Sequence, residues 1–278
     1  MKILNTSYKK YELPYNFDKK LIDGYKILNI PNSAIDCIYM PPLYSDYKSI
    51  LRTNPKKDKV PMITYEEYLD HINYIQENYP NKLQLLLQRT DGYLMPAYLI
   101  KKYIGLGFKN FCVGSLEQAK IIKEIDPTIR VVGSIAMHIE PGIIKQNYDL
   151  YKKYFNAFVL DFTYNKNYLK VKILPKGFEY MLLVNSRCNI YCDGDHHWWG
   201  EQNPHCPGIA TNEYDFPNTC VIRPMDLYLF DPYIQVYKIQ DRGWPTDWIL
   251  REVVLYSTNY GIYPHLKANS SIYQNDLY

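Results

Sequence analysis

The feature that most constrains this chain is a repeated alternation of short apolar runs with amphipathic stretches of helical spacing. Apolar runs occupy residues 34–40, 83–88, 108–113, 130–136, 157–162, 180–185 and 235–239. Several are apolar without alternation, as strands buried on both faces are. Between them lie helix signals. Thr64 with Glu67 three residues on forms a capping-box start, followed by Leu69, Ile72, Ile75 and Tyr79 at helical spacing and ended near Pro80. A second helix passes through Ile100 and Tyr103 to Gly105, and Ser115 caps a third that runs to Ile125. Residues 148–154 read as a short helix, and Pro245 opens a last one through Trp248 and Val253 to Tyr256. About seven strand–helix alternations imply a parallel sheet. The chain has 278 residues, and an α/β barrel takes roughly 250. The expected fold is therefore a TIM-like (β/α) barrel, complete or distorted, forming one domain over residues 1–278. The alternative is an open doubly wound sheet. No Gly-x-Gly-x-x-Gly or Gly-Lys-Ser/Thr loop follows a strand, so a nucleotide cradle is unsupported.

Composition removes other classes. Hydrophobic residues at 47% and charged residues at 22% are ordinary globular values, which exclude a disordered or fibrous chain. Net charge is +3, from 32 basic against 29 acidic residues, so nucleic acid is not indicated as a partner. No stretch reaches the roughly 18 apolar residues of a membrane span. Residues 1–10 lack the apolar core and cleavage site of a signal peptide, and the expected location is the cytoplasm. The 30 tyrosines and the excess of Lys over Arg read as codon bias, with many tyrosines on the surface. Four of the seven arginines and all four tryptophans lie beyond residue 185, which directs attention to the last third.

There the rhythm breaks. Residues 188–224 carry little periodicity, and a loop that long is usually functional. It holds four of the six cysteines, spaced Cys188-x3-Cys192-x13-Cys206-x13-Cys220. A reducing cytoplasm disfavours disulfides, and a metal centre would order a loop that lacks apolar packing. Thiolates suit zinc or an iron–sulfur cluster. The Cys-x2-Cys knuckle of zinc ribbons is absent, as is the Cys-x3-Cys-x2-Cys run of radical SAM enzymes. Iron–sulfur, zinc and separate thiols all stay open from spacing alone. Cys37 and Cys112, inside apolar strands, read as core residues.

A strand ending in Leu182-Leu183-Val184-Asn185 and followed by Cys188 resembles the cysteine region of the collagenase-like U-32 peptidase family. Arg223-Pro224-Met225-Asp226-Leu227 stands at that family's Ser-x-x-Asp-Leu segment. Lys238-Ile239-Gln240-Asp241-Arg242 is similar to its Lys-Ile-Glu-Gly-Arg signature, and residues 108–119 resemble part of its barrel. The likeness is distant over residues 30–260 and more specific over 181–242. It implies a TIM-like barrel holding a [4Fe–4S] cluster on Cys188, Cys192, Cys206 and Cys220, with zinc as the alternative. It implies kinship with the oxygen-independent hydroxylases of ubiquinone synthesis and RNA modification, which resemble enzymes taking an oxygen atom from prephenate. Some of these work as heterodimers, so a related partner subunit is expected. The sequence departs from the family in its shorter first cysteine gap, in Gln240 and Asp241, and in the insert at 193–200.

Candidate roles follow. His196 and His197, beside Asp193 and Asp195, suit proton transfer to a substrate, or else they only pack within the loop. His205 is a weaker alternative ligand to its neighbour Cys206. Trp198 and Trp199 either stack on a planar substrate or supply the loop's apolar core. Arg223 and Arg242 would clamp a carboxylate of an anionic co-substrate, or else pair with Asp226 and Asp241. Lys238 is expected to point into the barrel, where it needs a partner. His138, Asp161 and Asn185 fall at strand ends of the kind that carry barrel active sites. The expected function is a cluster-containing oxygen-independent hydroxylase or related modifying enzyme on an organic substrate. The alternative is a non-catalytic partner subunit with a structural metal. Peptide hydrolysis has less support, because neither Gly-x-Ser-x-Gly nor His-Glu-x-x-His is present.

Overall fold

A computed structural model describes residues 10–47, 63–88, 92–186, 219–240 and 245–257. Eight parallel strands close into a barrel in chain order, β1-β2-β3-β4-β5-β6-β7-β8. They are β1 (Lys10–Pro14), β2 (Ile35–Met40), β3 (Leu83–Leu87), β4 (Asn110–Val113), β5 (Arg130–Gly133), β6 (Ala157–Val159), β7 (Glu179–Leu183) and β8 (Val236–Lys238). The helices are α1 (Lys19–Ile27), α2 (Tyr65–Asn78), α3 (Ala97–Gly105), α4 (Leu116–Ile125), α5 (Pro141–Gln146), α6 (Tyr148–Tyr154), α7 (Tyr168–Lys172) and α8 (Thr246–Ser257). This is the TIM-type (β/α) barrel, and it is closed rather than open or incomplete. One register shift lies between Tyr11 and Glu12, where β1 meets β2.

Local chemistry explains most element boundaries. Thr64 Oγ1 accepts from Glu67 N at 3.2 Å while Glu67 Oε2 accepts from Thr64 N at 2.7 Å, the reciprocal capping box that starts α2. Ser115 Oγ accepts from Gln118 N at 3.2 Å and starts α4. Two strands are shorter than their apolar runs. The run at 130–136 leaves the sheet after Gly133, because the Ser134 side chain accepts from Ala136 N and turns the chain into a 3-10 helix over Ile135–Met137. The run at 157–162 leaves after Val159, where Asp161 caps a second 3-10 turn over Phe162–Lys166. The strand that pattern reading passes over is β1, whose Lys10 and Glu12 interrupt the apolar signal. Its pairing with both β2 and β8 closes the barrel.

Successive strand residues point alternately outward and inward. Outward residues such as Ile38, Leu85, Phe111, Val131, Phe158 and Leu182 join the helices in one apolar layer. Inward residues, among them Leu86, Cys112, Val132, Val159, Met181 and Leu183, fill the barrel as a second cluster. Cys37 and Cys112 are both buried, Cys112 within this cluster, as a core reading requires. Gly133 is a packing necessity, since a Cβ there would lie 2.4 Å from Phe158 Cδ1.

Tyr44, Tyr65, Tyr93, Tyr98 and Tyr228 are exposed, as many tyrosines were expected to be, but another set belongs to the core. Tyr15, Tyr25, Tyr47, Tyr68, Tyr103, Tyr164 and Tyr237 are fully buried. Several buried hydroxyls finish backbone carbonyls at or just past strand ends, while Tyr15, Tyr103 and Tyr164 bond the side chains of His71, Asp46 and Glu140. Tyr25 donates to Pro14 O at 2.9 Å and Tyr68 to Pro41 O at 3.0 Å. Tyr256 donates to Val184 O at 3.1 Å and to Ile222 O at 2.8 Å. A ring that fills the helix–sheet layer with an apolar body and places a donor at its far end does what Phe cannot. No helix among the described residues is long and apolar enough to cross a membrane.

Candidate functional site

In a parallel barrel every strand presents its C-terminal end to the same mouth, where the following loops begin. Here Gln88 follows β3, Ser134 and His138 follow β5, Asp161 and Asn165 follow the extension of β6, Asn185 follows β7 and Gln240 follows β8. Gln88 Nε2 donates to Ser134 Oγ at 2.9 Å, tying the ends of β3 and β5 across β4. The backbone N–H of Gln240 donates to Asn185 Oδ1 at 2.8 Å and its side-chain Nε2 to Asn185 O at 3.4 Å, tying β8 to β7. The mouth is thus walled largely by neutral polar side chains that hold one another.

One ionisable pair stands among them. His138 closes the 3-10 turn after β5 in the left-handed region, at φ 45° and ψ 46°. That conformation disfavours side chains with a Cβ, although His enters it more readily than most. Its Nδ1 lies 3.4 Å from Asp161 Oδ2. The other Asp161 oxygen, Oδ1, accepts from Thr163 N at 2.9 Å as a helix cap. The carboxylate is therefore fixed by its backbone before it meets the imidazole.

Cys220 also belongs to this end of the barrel. It is fully buried and shares the interior cluster with Val159, Phe162 and Leu183. Asn165 Nδ2 donates to both Leu183 O and Cys220 O at 2.6 Å, and Ile222 N donates to Val184 O at 2.8 Å. The chain that leaves β7 therefore returns beside the end of the same strand. Around this junction Asn165 Oδ1, Ser186 Oγ and Thr219 Oγ1 are buried with no hydrogen-bond partner among the described residues. Unmet buried oxygens of this kind mark where further structure or a bound group completes a site.

Of the other candidates, Arg223 is exposed and forked onto Asp226, Nε to Oδ2 at 2.7 Å and Nη2 to Oδ1 at 3.1 Å. The pairing read as the alternative to a substrate clamp is thus present. Cys188, Cys192, Cys206, His196, His197 and Arg242 lie outside the described residues, as do His205, Trp198 and Trp199.

The barrel interior holds charges that motif reading only touched. Lys238 does point inward, and its partner is Glu12 of β1, which bonds the ammonium directly and accepts from Gln84 Nε2 at 2.8 Å. The ammonium also sits 4.0 Å from the ring centroid of Tyr39, whose hydroxyl donates to Ile239 O at 2.6 Å. Nearer the N-terminal ends, Arg130 pairs with Asp36 at 3.0 Å and with Glu179 at 2.6 Å. Burial raises the Asp36 pKa, an effect the Arg130 charge partly offsets. Burial likewise pushes the Cys112 thiol up to about 11 and the Cys37 thiol well above its ordinary value, so both stay protonated near neutrality. Glu12, Asp36 and Cys37 place ligand atoms within 4.8 Å of one another. Each carboxylate is already neutralised by Lys238 or Arg130, which removes the charge a cation would need. The sequence signal for this network was a charged residue at an inward position on a short strand, twice.

No protein-family model and no curated protein matches the chain. Among solved structures it resembles the U32 peptidase Mk0906, with a TM-score of 0.51 and 13% identity over 87% of this chain and 96% of that one. Phosphonopyruvate hydrolase, solved with oxalate and Mg++, overlays with a TM-score of 0.48 and 10% identity, over 89% of this chain and 79% of that one. A 2-keto 3-deoxygluconate aldolase from Picrophilus torridus gives 0.45 and 12%, over 91% and 80%. At such identities the likeness to the U32 peptidase is one of fold.

Proposed function

We propose that this chain is an enzyme of the U32-peptidase type whose barrel mouth carries a cysteine-held [4Fe–4S] cluster, acting as an oxygen-independent hydroxylase or related modifying enzyme on an organic substrate. The observation that carries the reading is Cys220, buried at the C-terminal end of a barrel that shares its fold with a U32 peptidase. Cys188, Cys192 and Cys206 would be the remaining ligands. The donor set suits iron or zinc, and the apolar neighbours of Cys220 suit a cluster kept from water. When bound, the cluster supplies iron chemistry at the mouth.

The chain's own residues have separate tasks. Asn165 fixes the backbone at Cys220 and at the end of β7 together. His196 and His197 would move protons, and Arg223 with Arg242 would hold an anionic co-substrate. For Arg223 this requires a substrate carboxylate to replace Asp226, an exchange of like for like at a fork that already has the right geometry.

The test is anaerobic purification followed by iron, zinc and acid-labile sulfide analysis. About four irons and four sulfides per chain, lost on Cys220→Ala, are expected. Stoichiometric zinc without sulfide would replace the cluster with a structural or hydrolytic metal. No bound metal would remove the reading altogether.

A further inference from the structure

We infer that His138 is a proton-transferring group of the mouth, with Asp161 as the positioning residue that keeps the proton on Nδ1 and leaves Nε2 as the basic nitrogen. The inference rests on the reading of the mouth as an active site, but it does not depend on which metal the cysteines hold.

The geometry carries it in three steps. First, the two residues come from adjacent strands. His138 follows β5 and Asp161 follows β6, so both stand at the end of the barrel where reacting groups of such folds collect. Second, the carboxylate is held independently of the imidazole. Its Oδ1 is committed to Thr163 N and its side chain is only 12% exposed, so Oδ2 faces His138 with little freedom to turn away. An acceptor at Nδ1 selects the tautomer protonated there, which is how a carboxylate orients a catalytic imidazole. The 3.4 Å separation is long for a finished hydrogen bond, and such contacts shorten when substrate closes a site. Third, the histidine is not a packed core residue. Its side chain is 39% exposed, and its backbone is held at φ 45° by the turn that Ser134 begins.

The remaining acidic and phenolic neighbours define the setting. Glu140 begins α5 two residues on, and Tyr164 donates to Glu140 Oε2 at 3.4 Å. Burial first, then the charge of Glu140, raises the Tyr164 pKa, so Tyr164 does not compete as a base near neutrality.

The test uses the full-length chain and two readouts that need no substrate. Nitrogen NMR of histidine-labelled protein reports the tautomer of each ring, and diethyl pyrocarbonate followed by peptide mass mapping reports the reactivity of the basic nitrogen. In the wild type, His138 is expected to be protonated at Nδ1 and to be modified readily at Nε2. Asp161→Asn keeps the helix cap, because Asn caps as well as Asp, and it should mix the tautomers and slow modification up to about fivefold. His138→Asn, which suits the left-handed turn, assigns the signal without unfolding the loop. An Nε2-protonated His138 in the wild type, or an unchanged tautomer and rate in Asp161→Asn, would overturn the inference. The same measurements on Cys220→Ala separate the two claims. Loss of metal with the Nδ1 tautomer retained leaves this inference standing, and a bound cluster beside an indifferent His138 removes it alone.

Discussion

The two ends of the barrel are built on opposite principles. Toward the N-terminal ends of the strands and in the interior, charge is plentiful and each group is matched, with Glu12 on Lys238, and with Arg130 on Asp36 and Glu179. At the C-terminal mouth the walls are neutral amides and a hydroxyl, while the ionisable pair is half open and its histidine sits in a left-handed turn. Matched and buried charge fixes which strands are neighbours. A partly exposed imidazole on irregular backbone, beside a carboxylate held by its own cap, is available for chemistry. Conformational irregularity is tolerated at the mouth because the interior below it is over-determined.

The largest expected effect comes from breaking the interior pair. Lys238→Met leaves Glu12 buried with the Gln84 amide still donating to it but without its cation, and we expect a loss of about 3–5 kcal/mol in chemical denaturation. The double variant Glu12→Gln with Lys238→Met should recover most of that, since replacing both members of a buried pair is far less costly than orphaning one. Failure to recover would show that the pair does more than seal the barrel.

A smaller effect is expected at Arg130. Arg130→Ala should cost about 2 kcal/mol at neutral pH, because the mostly buried Asp36 loses the nearer of its two cations and keeps only Lys10 at 3.9 Å among the described residues. The pH dependence has a definite sign. The folded-state pKa of Asp36 is already raised by burial, so its folded form binds more protons than the unfolded chain. Stability from this group is present below its ordinary pKa and falls as pH rises through the folded value. Without Arg130 the folded pKa rises further, and thermal melts should show the variant closing on wild type as pH is lowered. A deficit that grew in acid would contradict the assignment.

Changes away from both regions should be smaller still. Thr64→Ala removes one half of the capping box of α2 and should cost about 1 kcal/mol in the same denaturation experiment. It should leave metal content unchanged. If it altered metal content, the separation between scaffold and mouth would fail.

This contrast also explains what the sequence makes legible. The inward and outward apolar runs, the Thr64–Glu67 capping box and the Ser115 cap are local signals, and they locate seven strands and most of the longer helices. The eighth strand escapes because Glu12, which makes its middle look polar, is satisfied by Lys238 at a separation of 226 residues. A partner so distant leaves no periodicity. The ends of β5 and β6 were overextended for the converse reason, since Ile135, Ala136 and Phe162 stay apolar after Ser134 and Asp161 have already turned the chain. His138 and Asp161 were each visible as polar residues just beyond an apolar run. Their pairing depends on β5 and β6 being neighbours, which only the closed sheet supplies. Of the four cysteines of the long loop, Cys220 lies buried at the mouth and the other three lie outside the described residues.

The central claim is that the mouth holds the reactive centre and the interior holds the fold. The most direct measurement is the visible absorption of anaerobically purified wild type, Cys220→Ala and the Glu12→Gln, Lys238→Met double variant, side by side. Broad iron–sulfur absorption is expected in the wild type and in the double variant, and its loss in a Cys220→Ala protein that still folds cooperatively. Retention of the absorption in Cys220→Ala, or its loss in a folded double variant, would contradict it.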